Sequence, residues 1–291
     1  MAVWKFKQLW AALVFAGLSF NTLGAEPHLL IQAAQQAESS LQARVGLAVL
    51  DTADGQRWQY RADERFPMAS TSKALICAAL LARGQGAMKT AWLVQQEAIQ
   101  SYSPTTEKMV GEYVPAAQLC AITMRNSDNT AANGVLEMLG GPAAVTSFVR
   151  TVGDSVTRLD RNEPTLNEAR PGDPRDTTTP QAMVQTLQNL VLGDALEPHA
   201  RERLIAWLRN NKVGGPLLRA GVPEDWTMAD RTGAGGFGTR GVVAVIWPPK
   251  RAPLIAAVYV TETEAPMEDS NTAIAMIGKA IAASVAQKDQ P

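Results

Sequence analysis

The residues best suited to chemistry lie in the tetrapeptide Ser70-Thr71-Ser72-Lys73. Residues three positions apart meet on one face of a helix, so the Ser70 hydroxyl and the Lys73 amine can come together. A serine attacks a carbonyl once a base takes its proton, and a lysine whose pKa is lowered by burial or nearby positive charge can be that base. The spacing therefore predicts a nucleophilic serine. By itself, the motif is more typical of a helix cap followed by a surface lysine.

A second polar motif, Ser127-Asp128-Asn129, lies at a break between two helical patterns. The Ser127 hydroxyl could pass a proton to a leaving group, and the Asn129 amide could hold a carbonyl or amide group of a substrate. Asp128 alone is equally typical of a helix N-cap.

A third candidate is Glu163, in a loop from Asp160 to Asp176 that contains three prolines. Irregular loops of this length in a compact domain are usually functional. A Glu163 carboxylate that faces a cavity can activate water, and Asn167 could hold that water from the other side. The alternative is a solvated loop glutamate. Arg161 and Asp176 could form a bidentate pair across the neck of the loop, or be two exposed charges.

The segment that begins with Arg231 combines positive charge with flexible backbone. Arg231 and Arg240 offer two planar guanidinium groups for a substrate carboxylate, beside the hydroxyl of Thr232. Gly233 allows a ligand to approach the backbone closely. The N–H of Ala234 is then a candidate donor to a developing oxyanion.

Cofactor and metal sites are not expected. Gly233, Gly235 and Gly238 match the glycine pattern of dinucleotide-binding turns, but such a site needs a helix next and an acidic residue about twenty positions on. Here a predicted strand follows, and no acidic residue stands at that distance. The two histidines, His28 and His199, are too isolated to build a zinc site.

Composition excludes several classes of protein. The chain has 291 residues, 27 Lys and Arg against 28 Asp and Glu, and 46% hydrophobic residues. A net charge of -1 gives no electrostatic footprint for nucleic acid, and the apolar share is too high for a disordered chain. The length suits one large domain or two lobes.

The N-terminus has the layout of a secretory signal peptide, predicted to be residues 1–25. Lysines precede an uncharged apolar run from Leu9 to Phe20, which is too short to span a bilayer, and small residues follow. We expect a mature protein without a membrane anchor. Export to an oxidising compartment would permit a disulfide between Cys77 and Cys120, with two buried free thiols as the alternative.

The pattern of elements predicts an α+β protein with an antiparallel sheet, flanked by terminal helices, and an all-helical lobe. Residues 26–65 and 216–291 form the predicted α/β lobe, and residues 66–215 the helical lobe, within one catalytic domain of residues 26–291. A site is expected at the seam between the lobes. The predicted helices are Leu29–Gln42, Thr71–Ala82, Leu119–Arg125, Asn129–Leu139, Pro142–Thr151, Thr179–Leu192, Ala200–Arg209 and Asn271–Gln287. The predicted strands are Val45–Asp51, Arg57–Arg61, Thr227–Thr232, Val242–Trp247 and Leu254–Val260.

The motifs, taken together and in order, resemble those of class A serine β-lactamases, and the resemblance spans essentially all of the mature chain. Most of the family has Lys where this chain has Arg231, and Arg there is similar to the carbenicillin-hydrolysing branch. Ala69 stands where several carbapenem-hydrolysing relatives carry Cys. The matching motifs are Ser70-Thr71-Ser72-Lys73, Ser127-Asp128-Asn129, Glu163-Pro164-Thr165-Leu166-Asn167 and Arg231-Thr232-Gly233.

The resemblance implies hydrolysis of penicillins, including carboxypenicillins, through a Ser70 acyl-enzyme that confers antibiotic resistance. It leaves open whether Lys73 or Glu163 is the base for acylation. It further implies a periplasmic monomer whose partners are a β-lactam and a hydrolytic water, and a Cys77–Cys120 disulfide. The implied catalytic residues are Ser70, Lys73, Ser127 and Glu163, and the implied substrate-binding residues are Tyr102, Asn129, Asn167, Arg231, Thr232, Gly233, Ala234 and Arg240.

Three alternatives share part of this pattern. A DD-peptidase of peptidoglycan synthesis shares three motifs but would lack Glu163. A non-hydrolytic β-lactam sensor would keep its acyl group and would normally be joined to a transmembrane segment. A serine-dependent glutaminase of related fold is usually not exported.

Overall fold

A computed structural model describes Met1 and residues 28–288 of the chain. The predicted signal peptide therefore lies outside the described residues, apart from Met1. The α-helices are α1 (Leu29–Leu41), α2 (Lys73–Ala82), α3 (Gly84–Lys89), α4 (Ala116–Asn126), α5 (Asn129–Leu139), α6 (Pro142–Thr151), α7 (Pro180–Val191), α8 (Pro198–Arg209) and α9 (Met267–Lys288). The strands are β1 (Arg44–Asp51), β2 (Arg57–Tyr60), β3 (Phe66–Pro67), β4 (Ala91–Leu93), β5 (Tyr113–Pro115), β6 (Thr177–Thr178), β7 (Thr227–Ala234), β8 (Arg240–Trp247) and β9 (Leu254–Thr261).

The large sheet is antiparallel throughout and has the order β2-β1-β9-β8-β7. Strands β8 and β9 are buried on both faces, because helices cover the sheet on each side. Val242, Ala244 and Ile246 of β8 pack into the core shared with α1 and α9. Val243 and Val245, which alternate with them, face the core of the helical segment. The predicted α+β fold class is confirmed.

Helix α2 lies at the centre of the helical segment. Nine of its ten residues are buried, which explains its nearly continuous apolar sequence. It is joined to α4 by a disulfide between Cys77 and Cys120, with Cα atoms 5.7 Å apart, so the predicted pairing is confirmed. Both cysteines are fully buried in the core.

The structure differs from the sequence prediction mainly in short elements. A 3-10 turn, Ala69–Ser72, precedes α2, and a short helix that was not predicted, α3, begins at Gly84. The segment from 66 to 215 is also not entirely helical, because β3 pairs with β6 and β4 pairs with β5. These ladders are two or three residues long, too short to give a period-two pattern in sequence. Among the described residues, no helix is long and apolar enough to cross a membrane.

Candidate active site

The nucleophile candidate lies at the start of the central helix. Ser70 is in the 3-10 turn, Lys73 is the first residue of α2, and the Lys73 ammonium donates to Ser70 Oγ over 2.8 Å. Ala69, immediately before the serine, has a left-handed backbone with φ of 44°. The structure therefore brings together the two side chains whose spacing predicted a meeting on one helix face.

Lys73 is surrounded by oxygen atoms. Besides Ser70, its Nζ contacts the carbonyl oxygen of Ser127 at 2.8 Å, Oδ1 of Asn129 at 2.7 Å and Oε1 of Glu163 at 2.8 Å. The Ser127 hydroxyl lies 3.2 Å away. These contacts gather the other three predicted catalytic residues around the ammonium of Lys73.

Burial changes the acidity of this ammonium. Lys73 is completely buried, and loss of hydration lowers its pKa to about 8. The carboxylate of Glu163 opposes this shift, whereas the positive charge of Arg231 adds to it. A lysine with this pKa can change its protonation state close to neutral pH, which suits a group that handles protons.

The turn between α4 and α5 places the second motif. Ser127 ends α4 with φ of 62°, and this left-handed conformation turns both its carbonyl and its hydroxyl toward Lys73. Asp128 caps α5 by accepting from the N–H of Ala131, as its sequence alone suggests. Its carboxylate also accepts from the N–H of Thr106 and so fastens the neighbouring loop.

Glu163 is buried, with 3% of its surface exposed, and its Oε1 lies 3.5 Å from Ser70 Oγ. Asn167 donates from Nδ2 to Oε2 of Glu163 over 2.5 Å. The peptide bond between Glu163 and Pro164 is cis. The loop glutamate is therefore not solvated, and it shares the site with the serine and the lysine.

Asn133 of α5 fixes the backbone of Glu163 and had no role assigned from sequence. Its Oδ1 accepts from the N–H of Glu163 over 2.9 Å, and its Nδ2 donates to the carbonyl of Glu163 over 2.8 Å. Asn133 lies four residues after Asn129, on the same face of α5. That spacing is the signal that could have identified it.

The neck of the loop closes through the predicted pair. Arg161 Nε donates to Oδ2 of Asp176 over 2.5 Å, and Asp176 Oδ1 accepts from the backbone N–H groups of Asp160 and Arg161. The guanidinium is not bidentate toward Asp176, because its Nη1 instead pairs with Glu168 at 2.8 Å. The predicted partners are right, and their geometry differs.

A cleft of about 380 Å³ opens above the serine. Tyr102, which is 60% exposed, lines the cleft. Strand β7 forms one wall and approaches the nucleophile so closely that a Cβ on Gly233 would lie 3.1 Å from Ser70 N. The cleft is lined by Ser70, Tyr102, Ser127, Asn129, Asn167, Val213, Thr232, Gly233, Ala234, Arg240 and Met267.

The two predicted carboxylate-binding arginines have different positions. Arg240 of β8 lines the cleft, where its Nε donates to Asn271 and its Nη1 to the carbonyl of Gly233. Arg231 of β7 is completely buried and is not among the lining residues. Strand alternation puts Arg231 on the same face as Ala229, which packs into the core of the helical segment. Sequence spacing alone could not separate these two environments.

The guanidinium of Arg231 has few hydrogen-bond partners for a buried cation. Its Nη1 donates to Oδ1 of Asn211 over 3.3 Å, whereas Nε and Nη2 have no hydrogen-bond partner among residues 28–288. Burial lowers the pKa of Arg231 to about 10, so the group is still a cation at neutral pH.

The comparisons with known proteins agree with this geometry. A family model described as the Beta-lactamase enzyme family matches residues 29–285, and the chain belongs to that family. Beta-lactamase AER-1 of Aeromonas hydrophila is 49% identical over 88% of this chain and 86% of its own length. Beta-lactamase PSE-4 of Pseudomonas aeruginosa is 46% identical over 84% of this chain and 86% of its own.

A solved structure shows the same fold. An ancestral class A beta-lactamase superposes with a TM-score of 0.86 at 52% identity, covering 88% of this chain and 99% of its own. The resemblance to class A serine β-lactamases, including the branch with Arg in the third motif, is confirmed, and so is β-lactamase activity as the function of the family.

Proposed function

We propose that this enzyme hydrolyses penicillins, including carboxypenicillins, through an acyl-enzyme on Ser70. The observation that carries the proposal is the cluster of Ser70, Lys73 and Glu163 at the floor of the cleft. Attack on an amide, followed by hydrolysis of the resulting ester, requires a nucleophile, a cation and a carboxylate within hydrogen-bond reach of one another.

Acylation begins when Ser70 Oγ attacks the lactam carbonyl. The proton leaves Oγ to the Lys73–Glu163 pair, whose atoms lie 2.8 and 3.5 Å from the hydroxyl. The N–H groups of Ser70 and Ala234, on two segments that Gly233 holds in close contact, stabilise the oxyanion. As the ring opens, Ser127 passes its proton to the lactam nitrogen and takes a replacement from Lys73, whose Nζ lies 3.2 Å from the Ser127 hydroxyl.

Deacylation needs a water molecule directed at the ester. Glu163 acts as its general base, and Asn167 orients the water from the other side. Asn167 supports this role because its Oδ1 is buried and has no partner within the described part of the chain, so a water between the two side chains would satisfy it. This carboxylate favours a hydrolase over a DD-peptidase or a sensor that retains its acyl group.

Substrate recognition depends on the wall formed by β7 and β8. The substrate carboxylate binds Arg240 and Thr232, which line the cleft, and Asn129 and Tyr102 contact the rest of the molecule. Arg231 contributes through its charge from behind this wall. We further propose that the mature protein works as a monomer in the periplasm, after removal of residues 1–25.

The test is steady-state hydrolysis by the purified mature protein. We expect kcat/KM for carbenicillin within about tenfold of that for benzylpenicillin, and a carbapenem at least about a hundredfold slower, as pocket contacts of a few kcal/mol allow. Failure to turn over any penicillin, or lasting acylation without turnover, would overturn the proposed function. Failure on carbenicillin alone would overturn the carboxypenicillin assignment.

A further inference from the structure

Asn211 is the residue that holds the buried Arg231. The Asn211 side chain is itself buried, and its Oδ1 accepts from both Arg231 Nη1 at 3.3 Å and the N–H of Val213 at 3.1 Å. Val213 in turn lines the cleft. Asn211 therefore links the position of the guanidinium to the position of the cleft wall.

The orientation of the Asn211 amide is set by a carboxylate. Its Nδ2 donates to Oδ2 of Asp230 over 3.0 Å. Burial raises the pKa of Asp230, but the paired guanidinium of Arg219 opposes this rise and favours the carboxylate, whose oxygens accept and never donate. The amide must therefore turn its NH2 toward Asp230 and its carbonyl oxygen toward Arg231. A flipped amide would present N–H groups to a cation and leave Asp230 without this donor.

Asp230 is held on its other side. Arg219 donates from Nε to Oδ1 of Asp230 over 2.7 Å and from Nη2 to the carbonyl of Met228 over 3.0 Å. Gly214 leaves the space that this arrangement occupies, because a Cβ at that position would lie 2.1 Å from Oδ2 of Asp230 and 2.9 Å from Nδ2 of Asn211. Each neighbouring pair in the series Arg219–Asp230–Asn211–Arg231 is thus joined by a hydrogen bond whose donor is fixed.

We propose that Asn211 is a positioning residue for substrate binding: its amide, oriented by Asp230, fixes the Arg231 guanidinium where its positive charge attracts the carboxylate of a β-lactam. The inference rests on the proposed function. The effect acts equally on the bound substrate and on the transition state, because the carboxylate charge does not change during ring opening. Such uniform binding alters KM and leaves kcat unchanged.

The test compares penicillin kinetics of Asn211→Ala with those of Asn210→Ala. Asn210 is the exposed neighbour at the end of α8 and serves as the matched control. Asn211→Ala should raise KM for benzylpenicillin about tenfold, the loss of about one charge-assisted hydrogen bond, with kcat within about twofold of the parent. Asn210→Ala should leave both constants unchanged. A reduced kcat at constant KM, or equal effects of the two variants, would overturn the proposal.

A double-mutant comparison shows whether Asn211 acts through Arg231. In an Arg231→Met background there is no guanidinium to hold, so Asn211→Ala should change KM less than about twofold. The same tenfold increase in both backgrounds would contradict the inference. If Asn211→Ala does not fold, Asp230→Asn replaces it as the test of the positioning role. This variant keeps the shape of the side chain and removes its charge, and it should raise KM about threefold.

These outcomes are distinct from a failure of the proposed function. If the parent protein turns over no penicillin, the hydrolase assignment fails. If the parent is active and Asn211→Ala has the KM of the parent, only the positioning role fails.

Discussion

Lys73 and Arg231 are two fully buried cations that differ in how many hydrogen-bond acceptors surround them. Lys73 donates to oxygen atoms of three residues and pairs directly with a fourth, Glu163. Arg231 donates to Asn211 alone within residues 28–288. A buried charge is costly unless it is paired, so the first site is tightly satisfied and the second is not.

This difference in hydrogen bonding corresponds to two different functional roles. At Lys73 the exact placement of donors and acceptors determines which proton moves, so the surroundings of this residue leave little freedom. At Arg231 the useful property is its positive charge, which acts over a distance and also contributes to lowering the pKa of Lys73. Shape should therefore matter at Lys73, and at Arg231 the charge together with its placement by Asn211.

Exchange at Lys73 should have the largest effect. Lys73→Arg keeps the positive charge but replaces a compact ammonium with a planar group that cannot fit among the same oxygen atoms or lose its proton. We expect kcat/KM for benzylpenicillin to fall about 10³-fold or more. Activity within tenfold of the parent, in a variant that folds, would show that position 73 needs only a positive charge. The contrast between Lys73 and Arg231 would then be wrong.

Asn133→Leu should have the next largest effect, because it removes both hydrogen bonds to the backbone of Glu163. A misplaced general base slows deacylation, so we expect kcat to fall about a hundredfold, with the acyl-enzyme accumulating. Rapid-quench mass spectrometry measures the acylated fraction. Asn162→Ala, at an exposed position beside Glu163, is the control and should retain parental kcat. If Asn133→Leu also retains parental kcat, the loop holds Glu163 without Asn133.

The pH profile of kcat/KM tests whether Lys73 acts in its protonated form. Below a pKa of about 8 the group is an ammonium that donates to Ser70, Ser127 and Asn129 while paired with Glu163. Above that pH it loses the ion pair and one of its three donor hydrogens. We expect kcat/KM to fall about tenfold per pH unit above the pKa. Activity that is constant or rises up to pH 10, with the fold intact by circular dichroism, would contradict a working ammonium.

Arg231→Lys should have the smallest effect. It keeps the charge and loses the planar group, so KM for benzylpenicillin should rise about threefold and kcat should stay constant. Arg231→Met is the matched variant without charge and should raise KM about tenfold or more. Equal KM values for the two variants would mean that charge is not what Arg231 contributes.

Local spacing predicted the parts of the site that a single element determines. Ser70 and Lys73 meet because one helical turn joins them, and Asp128 caps the helix that its type predicts. The order of helical and strand patterns also predicted the antiparallel sheet and the helices around it. These features depend on interactions within a few residues or on a repeating apolar pattern.

Features that depend on packing between distant segments were not accessible in this way. Asn133 meets Glu163 across thirty positions of sequence, and Arg231 meets Asn211 across twenty. The burial of Arg231, in contrast to Arg240, depends on which face of a strand meets the helices. No pattern within β7 alone determines that face, because neighbouring polar residues occupy both.

Intact-protein mass spectrometry of Glu163→Gln with benzylpenicillin tests the central claim most directly. The amide keeps the shape of the carboxylate and cannot take a proton from water. Without the negative charge of Glu163 the pKa of Lys73 falls further, so the neutral amine can take the Ser70 proton during acylation. The variant should therefore gain the mass of one penicillin and retain it for hours. Glu163→Gln combined with Ser70→Ala should gain no mass. Rapid return of the single variant to its unmodified mass, with full turnover, would contradict the account of Glu163 as the base that releases Ser70.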